Sequence, residues 1–435
     1  MLKKLCAVAA ACLSLSACAP ISFNVEELMR PPKLSAEQNE VYSALTAALG
    51  TQNVKLKYPR DGQYRSAFTF YDIDRDDLEE AFVLYEDSEG ACWVNIMDKS
   101  SGKWESMAEF AGSGADIDTI RFCNITTRDS EDIVIGWVGG GSKTLGVYRY
   151  ERGEINQIFS GSYDRVAISD LDGDHLDDLV LLFQQTDSQS AHAQLVRSGI
   201  TQLEMVSDVS LTNPITSFMQ VRTGQISPLR RGVVVDGRVA ENQMVSELLT
   251  IENGELVLPL SPNRLSALTR RNETIYSTDV TGDKIVDIPA QTPMPGYTNH
   301  SASEPVYLTT YRSLTEQGFT EVAQGFVNTS TTTGGYAILF PKKWYGKVSA
   351  VRQAQTGEII FFKFNESLSD QSVELLRIRV NSNKDYQDKF ENGDYRQIAT
   401  KGIFTYYAYA VDAADPLRIS NDELNGMFRL MQAPN

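Results

Sequence analysis

Helical spacing of apolar residues is confined to the two ends of this chain. In SAEQNEVYSALTAALG, Val41, Leu45 and Leu49 recur at helical intervals behind a Ser35/Gln38 capping box, and Gly50 supplies a stop. In ISNDELNGMFRLM, a Ser420/Glu423 box precedes Leu424, Met427, Phe428 and Met431 on one helical face. From about residue 64 onward, between these ends, apolar residues come in short β-rich runs separated by polar turns, the mark of strands.

One turn returns. FTFYDIDRDDLEEAFVLY at 68–85 lies on AISDLDGDHLDDLVLLF at 167–183 without a gap, and IYSTDVTGDKIVDIPA at 275–290 is a third copy. Each is a short strand, a turn with acidic or hydroxyl residues at its first, third, fifth and ninth positions, and a second apolar run. The copies start at Asp72, Asp170 and Asp279, and midway between them lie worn versions. IRFCNITTRDSEDIVIGW offers Asn124, Thr126, Arg128 and Asp132, and FMQVRTGQISPLRRGVVV has no acid. The period is therefore about 50 residues, repeated about five times. The stretches between turns, such as CWVNIMDKSSGKWESMAEF and LGVYRYERGEINQIF, read as strand, polar turn, strand. Each unit thus holds four short strands, the make-up of a propeller blade. A β-sandwich would explain strands and turns but not one turn at a fixed period.

The expected fold is mainly β: a β-propeller of about five four-stranded blades over 51–333, plus a small C-terminal α+β domain over 334–435. Ahead of them lie the helix at 35–50, a tether at 18–34 and a signal peptide at 1–17. MLKKLCAVAAACLSLSACAP places Lys3 and Lys4 before an apolar run and small residues, the layout of a secretory signal. Its end, Leu15-Ser16-Ala17-Cys18, resembles the lipobox of bacterial lipoproteins. That resemblance implies cleavage before Cys18, diacylation of its sulfur and a membrane-anchored, extracytoplasmic protein. Of the other cysteines, only Cys92 and Cys123 would remain in the mature chain, as two buried thiols or one bridge. The net charge of −17 argues against nucleic acid and is compatible with binding cations.

Carboxylates crowded as in DLDGDHLDD repel unless solvated or neutralised by a cation. Calcium takes six to eight oxygens at about 2.3–2.6 Å, supplied by a compact loop at alternate residues and one farther on. Asp170, Asp172, Asp174 and Asp178 have that spacing, with the Leu176 carbonyl as an extra ligand. Asp72, Asp74, Asp76 and Glu80 repeat it. So do Asp279, Thr281, Asp283 and Asp287, where neutral Thr281 weakens the set. An EF-hand is excluded because its twelfth position here is Leu181, inside a strand run. The strand–DxDxDGxxD–strand pattern instead resembles the FG-GAP/VCBS repeats of integrin-alpha-like propellers over roughly 60–330. The resemblance implies structural calcium on one rim, although Asp77, His175 and Lys284 stand where that family has glycine.

Candidates for catalysis are few. The histidines are His175, His192 and His300, with no zinc spacing, serine elbow or Cys–His pair. GWVGGGSKT at 136–144 lacks the glycine before its lysine and reads as a hairpin tip. Trp93, Trp104 and Trp137 suit packing, while Trp344, beside Lys342, Lys343 and Lys347, is a candidate platform for a sugar ring. The function expected is a non-catalytic binding or scaffold module for an unknown protein or glycan. The alternatives are an extracytoplasmic enzyme on polysaccharide or envelope material, and a small-molecule receptor with an interdomain pocket.

Overall fold

The computed structural model describes residues 34–431 apart from 52–53, 100–101, 152, 200–201, 261–267, 273, 298–304, 331–333, 383–393 and 413. The signal peptide, nearly all of the tether, Cys18 and His300 lie outside the described residues.

Helix α1 (Ala36–Leu49) forms where the sequence places it. Ser35 Oγ accepts from the Gln38 amide at 3.1 Å, and Gln38 Oε1 accepts from the Ser35 amide at 3.0 Å. Gly50 closes the helix in the left-handed region at φ 65°.

Antiparallel sheets then follow in chain order. Sheet one holds β1 (Lys55–Leu56), β2 (Phe68–Tyr71), β3 (Glu80–Glu86), β4 (Cys92–Asp98) and β5 (Glu105–Ala111). Sheet two holds β6 (Asp116–Cys123), β7 (Asp132–Gly139), β8 (Ser142–Glu151) and β9 (Glu154–Ser162). Sheet three holds β10 (Arg165–Ser169), β11 (Asp178–Phe183), β12 (His192–Ser198) and β13 (Leu203–Ser210). Sheet four holds β14 (Ser217–Ser227), β15 (Arg230–Ala240), β16 (Gln243–Glu252) and β17 (Glu255–Val257). Sheet five begins with β18 (Ile288–Pro293), β19 (Tyr307–Thr315), β20 (Gly318–Asn328) and β21 (Tyr336–Leu339). The sixth comprises β22 (Val348–Arg352), β23 (Ile359–Lys363), β24 (Glu374–Ser382), β25 (Arg396–Lys401) and β26 (Phe404–Ala410), in the order 22-23-24-26-25. After helix α2 (Asn421–Met427), β27 (Phe428–Leu430) returns to pair with β21.

Two-residue alternation along the strand after each turn explains how the sheets pack. In β3, Ala81, Val83 and Tyr85 face α1, while Phe82 and Leu84 meet Ile133, Ile135 and Trp137 of β7. The intervening Val134 turns to Leu179 and Leu181 of β11. Val180 and Leu182 turn to Val233 and Val235 of β15, and Val234 packs with Ile288 and Leu314 of sheet five. These strands read as continuous apolar runs because both of their faces are buried.

The ends of the succession are covered by different elements. Val41 and Leu45 of α1 occupy the outer face of sheet one. The far face of sheet five shares one core with sheet six, where Phe326, Tyr336 and Ile338 meet Phe361, Leu376 and Tyr406. The boundary expected at 334 therefore falls inside sheet five, whose last two strands, β21 and β27, lie beyond it.

Candidate metal centre

The clustered acids lie in three turns, between β2 and β3, between β10 and β11, and just ahead of β18, and each is closed by its own carboxylates. In the first, Asp72 accepts from the Arg75 amide at 2.6 Å and the Asp77 amide at 3.2 Å. Asp76 accepts from the Leu78 amide at 2.8 Å, and Glu80 reaches back to the Ile73 amide at 2.8 Å. The second turn repeats the set. Asp170 takes the Gly173 and His175 amides, Asp174 takes Leu176, and Asp178 takes Leu171. In the third, Asp279 takes the Gly282 and Lys284 amides, Asp283 takes Ile285, and Asp287 takes Val280.

This wrapping forces two residues of each turn into the left-handed region. The fourth residues are Arg75, Gly173 and Gly282, at φ 63°, 84° and 84°. The sixth are Asp77, His175 and Lys284, at 69°, 69° and 71°. The sixth position keeps the backbone geometry that favours glycine although none of the three turns carries one there.

Oxygens of Asp72, Asp74 and Glu80 lie within 4.8 Å of one another, and so do those of Asp170, Asp172 and Asp178. Such sets could hold a metal ion. They unite the predicted first, third and ninth positions. Asp76 and Asp174 stand outside them, as does the third turn, where Thr281 replaces the acid. The two sets differ in charge. Among the described residues no ion pair reaches Asp72, Asp74, Asp76 or Glu80, since Arg75 pairs with Glu131. Burial pushes the Glu80 carboxyl up to about 7, with help from the charges of Asp74, Asp72 and Asp76 and against the Ile73 amide. In the second set the Arg197 guanidinium already donates to Asp172 Oδ2 at 2.5 Å and to Asp178 Oδ1, the latter from Nε at 2.7 Å. Burial still pushes Asp178 up, opposed by the Leu171 amide and Arg197. The first set keeps its carboxylates clear of any ion pair among the described residues; the second lends two of its three carboxylates to an arginine.

Turns of neighbouring sheets are stitched together. Arg75 bridges to Glu131 at 3.4 Å. The Asp177 amide donates to Asn124 O at 2.7 Å, the Asn124 amide returns to Asp177 Oδ2 at 3.1 Å, and Arg128 reaches the Asp174 carbonyl. Farther on, Arg231 donates to Ser169 Oγ at 3.2 Å, and the Val286 amide to Gln225 O at 2.9 Å. The acid-free slot of sheet four is a bare turn, Pro228-Leu229, between β14 and β15. None of these cross-links was evident from spacing within a turn.

The remaining candidates are structural in their surroundings. His192 stacks on Phe183 at 4.5 Å, with Nδ1 3.0 Å from Ser190 O. Cys92 and Cys123 are free and buried, and burial raises their thiols to about 11 and about 12. Gly140 and Gly141, with positive φ, form the hairpin tip between β7 and β8. Trp344 is fully buried and donates Nε1 to Leu417 O at 2.6 Å, so no ring face is open to a sugar. A cavity of about 410 Å³ opens between sheets four and five, lined by Arg222, Tyr276, Asp279, Tyr311 and Arg429.

No protein-family profile and no curated protein matches the chain. Among solved structures, an exotype rhamnogalacturonan lyase, YesX, is similar at 12% identity and a TM-score of 0.25, over 70% of this chain and 61% of that one. Sqt1 of Saccharomyces cerevisiae is similar at 10% identity and a TM-score of 0.30, over 76% and 82%. The chain spans about three fifths of the lyase, and neither likeness carries a functional argument.

Proposed function

We propose that this chain is a lipoprotein anchored through Cys18 at the extracytoplasmic face of a membrane, acting as a non-catalytic binding or scaffold module. In this reading sheets one to five are blades of a propeller-like arc, and calcium at the turn of 72–80 stabilises its rim. Asp72, Asp74 and Glu80 would hold the ion, which supplies charge neutralisation and no chemistry. The observation that carries the reading is the run of acidic turns stitched from one sheet to the next, with a carboxylate set at its first member that no ion pair among the described residues reaches. A scaffold is favoured over an enzyme by what the inward acids do. Glu80, Asp178 and Asp287 are each committed to closing a turn through a backbone amide.

Extracellular calcium modules have dissociation constants of roughly 10⁻⁴–10⁻³ M. Ten-fold excess over that constant stabilises a fold by about 1.4 kcal/mol. For a chain this long the melting temperature should rise on the order of 2 °C. We expect EDTA to reverse the rise in a scanning melt and Asp74→Asn to abolish it; a melt indifferent to calcium removes the metal from the reading. The anchor is tested separately. Labelling with a palmitate analogue in the producing cell should vanish in Cys18→Ala, and label persisting in that variant refutes the anchor.

A further inference from the structure

One position of the fold decides what faces the ninth residue of each acidic turn. Ala81 pairs with Met97, Ile133 with Tyr148, Leu179 with Val196, and Ile288 with Arg312. One register step further, the residues across from Glu80, Asp132, Asp178 and Asp287 are Asp98, Arg149, Arg197 and Ser313. The contacts follow this register. Arg149 Nε lies 3.4 Å from Asp132 Oδ1, Arg197 holds Asp178 and Asp172 together, and the Ser313 hydroxyl donates to Asp287. Only sheet one places a further acid there, and the Asp98 charge acts on Asp74.

We propose that Arg197 is a tethered counter-cation that takes the place of the metal in the turn of 170–178. That turn is then closed by the protein itself, and calcium goes to the turn of 72–80. A guanidinium donating to the third- and ninth-position carboxylates uses oxygens a metal would need and sets a positive charge where the ion would sit. Arg149 does the same for Asp132, whose turn offers Thr126 in place of an acid at the third position; the Thr126 hydroxyl donates to Asp132 Oδ2 at 2.7 Å. The second half of the proposal rests on the calcium reading above, while the role of Arg197 does not.

The test counts ions on the full mature chain, titrating calcium chloride by calorimetry after chelator treatment. Wild type should bind one ion, lost in Asp74→Asn. Arg197→Ser, which installs the residue sheet five carries at the same position, should bind one ion more, and Asp172→Asn in that background should remove it. A folded Arg197→Ser protein with unchanged stoichiometry overturns the proposal, as does loss of an ion from wild type on Asp172→Asn. The reciprocal graft, Asp98→Arg, gives a second reading should Arg197→Ser not fold. It should weaken the wild-type ion about tenfold or more, and unaltered affinity counts against arginine as a substitute for the metal. If wild type binds no calcium but Arg197→Ser binds one, the calcium reading of the first turn fails and the role of Arg197 stands.

Discussion

Arg271→Met should destabilise the protein by about 3–5 kcal/mol, the range for breaking a buried ion pair on one side. Arg271 is fully buried, and its Nη2 lies 2.8 Å from Asp236 Oδ1 in β15. Nε donates to Ile275 O at 2.5 Å, and Nη1 to Ser246 Oγ and Thr269 O, both at 2.9 Å. Asp236 in turn accepts from the hydroxyls of Ser246 and Ser277 and from the Ser277 amide. The cost of the variant comes from the buried carboxylate it leaves without a counter-charge. Pairing Arg271→Met with Asp236→Asn removes that charge and should be milder than the sum of the two single changes. Urea midpoints of the three variants provide the cycle, and strict additivity would mean the two residues do not share an energy term.

What the sequence disclosed here, and what it hid, divides by distance along the chain. The acidic turns were legible because they close on themselves: Asp170 and the amides it accepts lie within five residues. Helix α1 was legible for the same reason, its cap being Ser35 and Gln38. What α1 covers was not, because the face it protects is set by Ala81, Val83 and Tyr85 of β3. Arg197 escaped notice since only strand register brings it to Asp172, 25 residues away, and no local spacing marks it. That the boundary expected at 334 cuts through sheet five was hidden for a similar reason. Asn328 of β20 pairs with Tyr336 of β21, and the polar stretch between them looks like a break between domains when it only joins two strands of one sheet. Trp344 attracted a binding role through its lysine neighbours, yet Lys343 is spent on Arg418 O and Glu423, on the outside of the core that swallows the indole.

That core leads to the other large effect. Trp344→Ala should cost about 3–5 kcal/mol, the range for removing a large buried aromatic side chain. The ring lies 5.3 Å from Phe340 and 6.0 Å from Phe361, and its Nε1 proton is bound by Leu417 O. Phe361 in β23 also packs edge-on against Phe326 in β20, at 5.6 Å, so one aromatic cluster spans sheets five and six. The shape of the melt therefore matters as much as its midpoint. If sheet six and sheet five fold as one unit, wild type and variant should each melt in a single cooperative step, the variant at lower temperature. If residues 334–435 formed a domain of their own, calorimetry would resolve two transitions and Trp344→Ala would move only one of them. The pairing of β20 with β21 across residue 334 and the shared cluster argue for the single step: neither sheet keeps its apolar face covered when the other departs, and exposed surface of that size would not stay folded.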